Sequence, residues 1–247
     1  MRPYYADEHV TLWLGDCREV VPALGIRVDL IVADPPYGET RLPWDQWPVG
    51  WVEVLAGAAD SLWCFGSMRA LLVRSPEFAG WQLSQDVVWE KQSGSGFATD
   101  RFRRVHEHAT HWYRGRWGDI HHETPRAPSG LPGRGKVSRS RDSTPHMGGI
   151  GSGVWIDDGE RLQRSVIRVR NMQGRAVHPT EKPAGILAPL ISYGCPPGGT
   201  VLDPFAGSGS TLVTAGSMGR RAIGVETSER YCEIIASRLE QGVLLCP

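Results

Sequence analysis

Thr200-Val201-Leu202-Asp203-Pro204-Phe205-Ala206-Gly207-Ser208-Gly209-Ser210-Thr211 is the stretch on which the fold turns. A buried-strand run, Thr200 to Asp203, ends on an acid and passes through two glycines into a helix expected from Ser208 to Met218. Strand, glycine turn and helix in that order belong to an α/β fold, and they open backbone amides to a ligand at a helix N-terminus. Ala222 to Glu226 reads as the next strand and Ser228 to Leu239 as a helix capped by Ser228. By itself such a turn serves equally well to pack a helix on a sheet. Glu226, however, lies 226 − 203 = 23 positions after Asp203, near the ~20-residue offset at which a carboxylate takes ribose hydroxyls. The pair implies an adenosine-containing ligand. Leu212 stands where the third glycine of a dinucleotide fingerprint would fall, and no Gly-Lys-Ser/Thr phosphate loop occurs, so NAD and ATP fit poorly.

The same alternation extends toward the N-terminus. Val10 to Leu14 reads as a strand that turns at Gly15-Asp16, followed by a helical turn over Cys17 to Leu24. Val28 to Ala33 is a β-branched run that stops at Asp34-Pro35-Pro36-Tyr37, as a buried parallel strand would. A helix over Trp51 to Ala59, a strand over Ser61 to Phe65 and a helix over Ser67 to Arg74 come next. Ser84 to Glu90 and Val105 to Tyr113 read as further strands around a loop at Gln92 to Arg104. From Arg114 to Gly153 the chain is rich in Gly, Pro, Ser and Arg and has no apolar period, so it reads as irregular. Val154 to Val169 adds a strand or two, and Pro183 to Tyr193 is a helix with proline in its first turn.

Asp34-Pro35-Pro36-Tyr37 leaves a strand at the carboxyl edge of the sheet, where ligands bind in open α/β folds. An exocyclic amine of adenine or cytosine is a poor nucleophile, because its lone pair is delocalised into the ring. It improves when acceptors hold its hydrogens and favour a pyramidal nitrogen. Asp34 offers a carboxylate, Pro35 and Pro36 an extended backbone that presents a carbonyl, and Tyr37 a face on which an extruded base can stack. Orientation and electrostatics would then supply most of the rate enhancement.

Ala33-Asp34-Pro35-Pro36-Tyr37-Gly38, His178-Pro179-Thr180-Glu181-Lys182-Pro183 and Val201 to Thr211 with Glu226, joined by Leu14-Gly15-Asp16-Cys17 and Trp89-Glu90-Lys91, resemble the bacterial and phage DNA amino-methyltransferases of adenine N6 or cytosine N4. The catalytic tetrapeptide precedes the glycine loop, an order that resembles the permuted beta group of that family. The resemblance implies a Rossmann-like S-adenosylmethionine-dependent methyltransferase fold with a mostly parallel central sheet. It implies S-adenosylmethionine as cofactor, with Asp203, Phe205, Gly207, Gly209 and Thr211 around its methionine part, Glu226 at its ribose and Asp16 at its adenine amino group. His178, Thr180 and Lys182 would sit by its carboxylate. Asp34 is the commoner choice among the adenine enzymes, Ser being frequent in cytosine N4 enzymes of the beta group, so adenine N6 in duplex DNA, reached by base flipping, is the expected target.

Composition agrees with one catalytic domain over 1–247 that carries an insertion at about 112–164. Net charge is zero, yet Arg101 to Met147 holds ten Arg or Lys against four Asp or Glu. That basic stretch falls where the beta group carries its target-recognition region, so its arginines would hold phosphates and read guanine edges. A solvated loop that orders only on DNA fits the same composition. The five cysteines (Cys17, Cys64, Cys195, Cys232, Cys246) are scattered, and none follows proline as a cytosine C5 methylase would need. Position 34 is Asp where glutamine methylases of release factors have Asn, which disfavours that class too. An RNA substrate and a catalytically silent DNA-binding protein remain as alternatives. No metal is expected, since strand alternation would separate His111 from His106 and His108. Without an apolar run of ~18 residues or a signal segment in Met1 to Val10, a cytoplasmic protein with no membrane partner is expected. A homodimer and a partner nuclease are left open. Trp44, Trp47 and Trp51 are expected in the core rather than in a partner-binding patch.

Overall fold

The structure is a computed structural model that describes residues 1–95, 100–129, 135–138, 141–144, 148–150, 153–156, 158–170 and 181–241. It divides into two compact units, Met1–Glu123 with Ser165–Pro247, and Thr124–Arg164. In chain order the first unit begins with β1 (Tyr5–Ala6), β2 (Val10–Leu14), α1 (Cys17–Leu24), β3 (Leu30–Ala33), α2 (Trp51–Leu55), β4 (Ser61–Gly66), α3 (Met68–Arg74), β5 (Gln82–Ser95) and β6 (Arg104–Tyr113). The second unit holds β7 (Arg126–Pro128), β8 (Gly135–Ser138), β9 (Arg141–Thr144), β10 (Gly148–Ile150), β11 (Gly153–Ile156) and β12 (Glu160–Leu162). The first unit resumes with β13 (Val166–Arg168), α4 (Ala184–Gly194), β14 (Thr200–Asp203), α5 (Ser210–Ser217), β15 (Arg221–Glu226) and α6 (Glu229–Glu240).

Nine strands of the first unit form one sheet in the order β1-β2-β15-β14-β3-β4-β6-β5-β13. β2, β15, β14, β3 and β4 run parallel, and β6 pairs antiparallel with both β4 and β5. β3 is buried along its whole length, and its side chains alternate between two cores. Leu30 and Val32 face α4, α5 and α6 through Ile186, Leu190, Leu212 and Ile235, whereas Ile31 and Ala33 face α1 and α2 through Val20, Val21, Trp51 and Leu55. A period of two with both faces apolar is what a strand covered by helices on both sides requires.

β14 and β3 are adjacent and parallel, with Val201 opposite Leu30 and Leu202 opposite Ile31. The chain leaves β14 toward β15 and leaves β3 toward β4, in opposite directions across the sheet. That reversal opens a crevice at the carboxyl ends of the two strands, where Asp203 ends one and Asp34 follows the other.

Several elements differ from the sequence reading. α2 ends at Leu55 rather than near Ala59, because Gly57 follows and the Ala58 carbonyl accepts from Val28 N–H at 2.8 Å. α5 starts at Ser210, two residues late, since Gly209 takes a left-handed φ of 78°. Ser228 holds the N-cap position of α6 but makes no side-chain capping bond. β5 continues to Ser95 through part of the expected loop, opposite Arg104 of β6. Trp47 and Trp51 are buried, while Trp44 is exposed.

The irregular reading of 114–153 needs the largest correction. In the second unit β7 pairs with β12, β8 with β11 and β9 with β10, all antiparallel and each enclosing the next in sequence. The described residues of this unit thus form three nested antiparallel strand pairs. In the β7–β12 pair the described side chains are mostly exposed, Arg126, Asp158 and Glu160 among them, which explains why no apolar alternation announces that pair. Among the described residues no helix is long and apolar enough to cross a membrane.

Gly224 of β15 lies beneath α5, where an added Cβ would come 2.6 Å from Leu212 Cδ1 and 3.2 Å from Leu12 Cδ1. Both leucines are fully buried. Gly224→Ala should therefore destabilise the protein by about 1–3 kcal/mol through overpacking, read as a lowered urea midpoint with an unchanged slope.

Candidate active site

Asp34 emerges from β3, and the two prolines that follow carry the chain to Tyr37, whose hydroxyl donates to Asp34 Oδ1 at 2.8 Å. The next segment is tied down by the buried Asp45 carboxylate, which accepts from the amides of Gly38 (2.9 Å), Glu39 (3.0 Å) and Thr40 (2.6 Å). Gly38 takes a φ of 72°, a left-handed turn that lets these amides converge on one carboxylate. Burial alone would raise the Asp45 pKa, but the hydrogen bonds from Thr40, Gly38 and Glu39 outweigh it and hold the carboxyl below its ordinary range.

Lys182, just before α4, is nearly fully buried and donates to Asp34 Oδ2, and its ammonium lies 3.5 Å from Glu107 Oε2. Glu107, on β6, accepts from Lys91 of β5 through its other oxygen. Burial pushes the Glu107 pKa upward, yet the neighbouring Lys182 and Lys91 prevail and bring it down to about 2. Lys182 is likewise held above the ordinary lysine value: burial opposes its charge, and Asp34 and Glu107 more than compensate.

Across the crevice, Asp203 Oδ1 accepts from Phe205 N–H at 3.0 Å. Burial pushes this carboxyl up to about 7, against hydrogen bonds from Thr211 and Phe205. Glu226 accepts from Gly207 N–H and Ser228 N–H, each at 2.8 Å, so it braces the glycine loop from the end of the next strand. Burial raises its pKa as well. Phe205 packs edge-on against Trp51, with ring centres 5.2 Å apart. Gly209 faces Ile235 of α6, where a Cβ would approach to 3.0 Å. Arg238 of α6 donates to the Ser208 carbonyl at 2.6 Å and to Glu181, fixing the outer side of the loop.

One cavity of about 660 Å³ gathers Asp34, Pro35, Pro36, Tyr37, Asp16, Lys182, Asp203, Phe205, Gly207, Thr211 and Glu226. Gly209 stays behind the wall in its packing role. His178 and Thr180 lie outside the described residues. Asp16 caps α1 through Arg18 N–H at 2.8 Å, and its ion pair with Arg18 holds its carboxyl below the usual range. Among the described residues no group of three or more His, Cys, Asp or Glu side chains is placed to hold a metal. His106 and His108 share a side with rings 5.3 Å apart, whereas His111 is buried between Ser61 and Ser84 and pushed down to about 4 by burial.

Glu107 and Asp45 were not among the site residues read from the sequence. A lone acid inside the His106-Glu107-His108 run of a buried strand was the available signal for the first, since an acid there needs a charged partner. Asp45 carried none, because its role depends on how the loop folds back.

The family model described as DNA methylase, of the N6/N4 type, matches residues 28–237. The Type II methyltransferase M.ScaI of Streptomyces caespitosus is 25% identical over 97% of this chain and 84% of its own length. The Type II methyltransferase M.HinfI of Haemophilus influenzae is 24% identical over 94% of this chain and 68% of its own. Among solved structures, the M1.HpyAVI–SAM complex superposes with a TM-score of 0.63 at 19% identity, covering 93% of this chain and 98% of that one. The PvuII cytosine-N4-specific DNA methyltransferase gives a TM-score of 0.65 at 14% identity, over 96% and 88%. The fold is therefore that of these DNA methyltransferases. The chain belongs to the N6/N4 DNA methylase family.

The Asp203 carboxyl makes apo stability depend on pH. Its folded pKa, about 7, lies above the ordinary 3.8, so its contribution is fully present below about pH 3.8 and is lost as pH rises through about 7. Asp203→Asn should remove this loss, so that the ligand-free melting temperature of the variant gains on that of the parent as pH rises from the ordinary 3.8 to about 7 and the difference levels off above that. Parallel curves over the whole range would contradict the assignment.

Proposed function

We propose that this DNA methylase transfers a methyl group from S-adenosylmethionine to the N6 amine of adenine in duplex DNA. The observation that carries the reading is the meeting of Asp34-Pro35-Pro36-Tyr37 and the Asp203–Thr211 loop in one cavity at the reversal of strand order. A volume of about 660 Å³ suits a ligand of nucleoside size with room for a base beside it. A buried carboxylate, Asp203, and a half-buried one, Glu226, line it, and Asp203 has no cation bonded to it among the contacts described, which suits a ligand bearing an ammonium and ribose hydroxyls. The M1.HpyAVI complex contains SAM, and that agrees with this fit.

On this reading Asp203, Phe205, Gly207 and Thr211 frame the methionine portion, with Gly209 shaping the turn from behind the wall, Glu226 receives the ribose, Asp16 the adenine amino group, and His178, Thr180 and Lys182 its carboxylate. The cofactor supplies an electrophilic methyl carbon bonded to positively charged sulfur. Asp34 and the Pro35 carbonyl accept the hydrogens of the target amine and favour its pyramidal form, and Asp34 is the nearest carboxylate to take the proton that the amine sheds. Tyr37 offers a ring to stack the extruded base. Adenine is favoured over cytosine because position 34 is Asp. The paired strands of Thr124–Arg164 take the part of target recognition, two strands being a shape that the major groove admits.

Asp34→Ala should lower single-turnover methylation by at least about 10³-fold while cofactor affinity, measured by calorimetry, changes by no more than about threefold. Normal turnover in this variant would refute the catalytic assignment. Replacing 124–164 by a short Gly/Ser linker should weaken DNA binding by about 10²-fold or more, with a smaller salt dependence, and leave cofactor affinity in place. Loss of cofactor binding in the shortened chain would mark these strand pairs as structural instead.

A further inference from the structure

The β5–β6 hairpin rises above the carboxyl edge of the sheet. Gly66, the last residue of β4, stands opposite His108, and β6 begins well beyond that pair at Arg104, roughly 13 Å of strand past the edge. Trp89, Lys91, Arg104 and Glu107 of the hairpin line the cavity, so the hairpin forms one of its walls. The top of that wall is anchored. Arg104 donates to Glu39 Oε2 at 2.9 Å and Ser67 donates to Glu39 Oε1 at 2.6 Å, which ties the hairpin to the segment that follows Tyr37.

Phe102, two residues before this anchor, is fully exposed, and no other large apolar side chain of the described residues is as open to water. Single exposed apolar residues are ordinary on a protein surface. Phe102 differs in its surroundings. It stands in Asp100-Arg101-Phe102-Arg103-Arg104 with an exposed arginine on each side, and among the described residues Arg103 has no ion pair. An aromatic ring between guanidinium groups at the rim of a cavity that admits a base matches nucleic acid, in which phosphates flank a stack of bases.

Extruding a base costs its pairing and stacking and leaves a gap in the duplex. Tyr37, bonded to Asp34 within the cavity, serves the base that has left. The gap itself lies outside, at the rim. Apolar side chains can enter between base steps, and stacking a base on an aromatic side chain changes affinity by about 10- to 100-fold. Resting on the reading of base extrusion from duplex DNA above, we infer that Phe102 is the side chain that enters the duplex in place of the extruded base. The bond from Arg104 to Glu39 sets its height above the cavity, and Arg101 and Arg103 meet the phosphates on either side.

The test uses a duplex carrying the sequence found methylated in bacterial DNA, and the same duplex with an abasic site opposite the target base, where no pair has to be broken. Parent, Phe102→Ala and Phe102→Tyr are compared in single-turnover methylation at saturating cofactor. Phe102→Ala should slow methylation of the intact duplex by about 10- to 100-fold, yet stay within about threefold of the parent on the abasic-site duplex. Phe102→Tyr, which keeps the ring, should stay within about threefold on both. With 2-aminopurine at the target position, binding of parent or Phe102→Tyr should raise its fluorescence, and binding of Phe102→Ala should raise it much less. Unchanged cofactor affinity by calorimetry checks that the substitution leaves the fold intact. A parental rate for Phe102→Ala on the intact duplex, or an equal loss on both duplexes, would overturn the proposal. An inactive parent would instead refute the methyl-transfer reading on which it rests.

Discussion

The parallel pairing of β14 with β3 is the constraint on which the site depends. Val201 and Leu202 lie against Leu30 and Ile31, and this register carries Asp203 and Asp34, distant in the chain, to the same edge of the sheet. Because the chain leaves the two strands in opposite directions, no crossover helix covers the gap between their ends. Each strand is buried on both faces, so a slip in register would break two apolar cores at once. The Asp203–Thr211 loop and the Asp34-Pro35-Pro36-Tyr37 tetrapeptide are thus held by the most strongly specified part of the molecule.

Charge at this edge is expensive, and the structure deals with its two sides differently. Around Asp34, carboxylates and ammonium groups alternate, so that Glu107 stays ionised down to about pH 2 in spite of its burial. Around Asp203 the balance is left open: the carboxyl is buried with neutral donors, and its pKa rises to about 7. A paired row suits a residue that must keep its charge when substrate is absent. An underpaired acid suits a site whose counter-charge arrives with a ligand. The loop between them is braced through backbone contacts, Gly207 on Glu226 and Ser208 on Arg238, so its shape does not wait for that ligand.

Much of this frame was legible in the sequence, because buried parallel strands announce themselves as unbroken apolar runs and the glycine loop as a local motif. Leu30–Ala33, Ser61–Gly66 and Thr200–Asp203 are such runs. The strand pairs of Thr124–Arg164 were not legible, since exposed strands such as β7 and β12 need no apolar period. The Ser228 cap failed for a different reason: Glu226 takes the Ser228 amide by its own side chain, and the serine hydroxyl makes no cap. Lys182 was read as a cofactor-side residue, and it does line the cavity, but its bond to Asp34 and closeness to Glu107 arise from β3, β6 and the approach to α4, a three-element contact that no local pattern encodes. Glu107 and Asp45 were missed on the same ground.

On the proposed function, one cavity presents a methyl donor to the amine of a base taken from duplex DNA. The most direct test is to incubate the purified protein with tritiated S-adenosylmethionine and undigested bacterial DNA, hydrolyse the DNA and identify the labelled base. Label is expected in N6-methyladenine. Label in N4-methylcytosine would contradict the choice of base while leaving the site's chemistry intact, and no label in DNA despite measurable cofactor binding would contradict DNA methylation by this site.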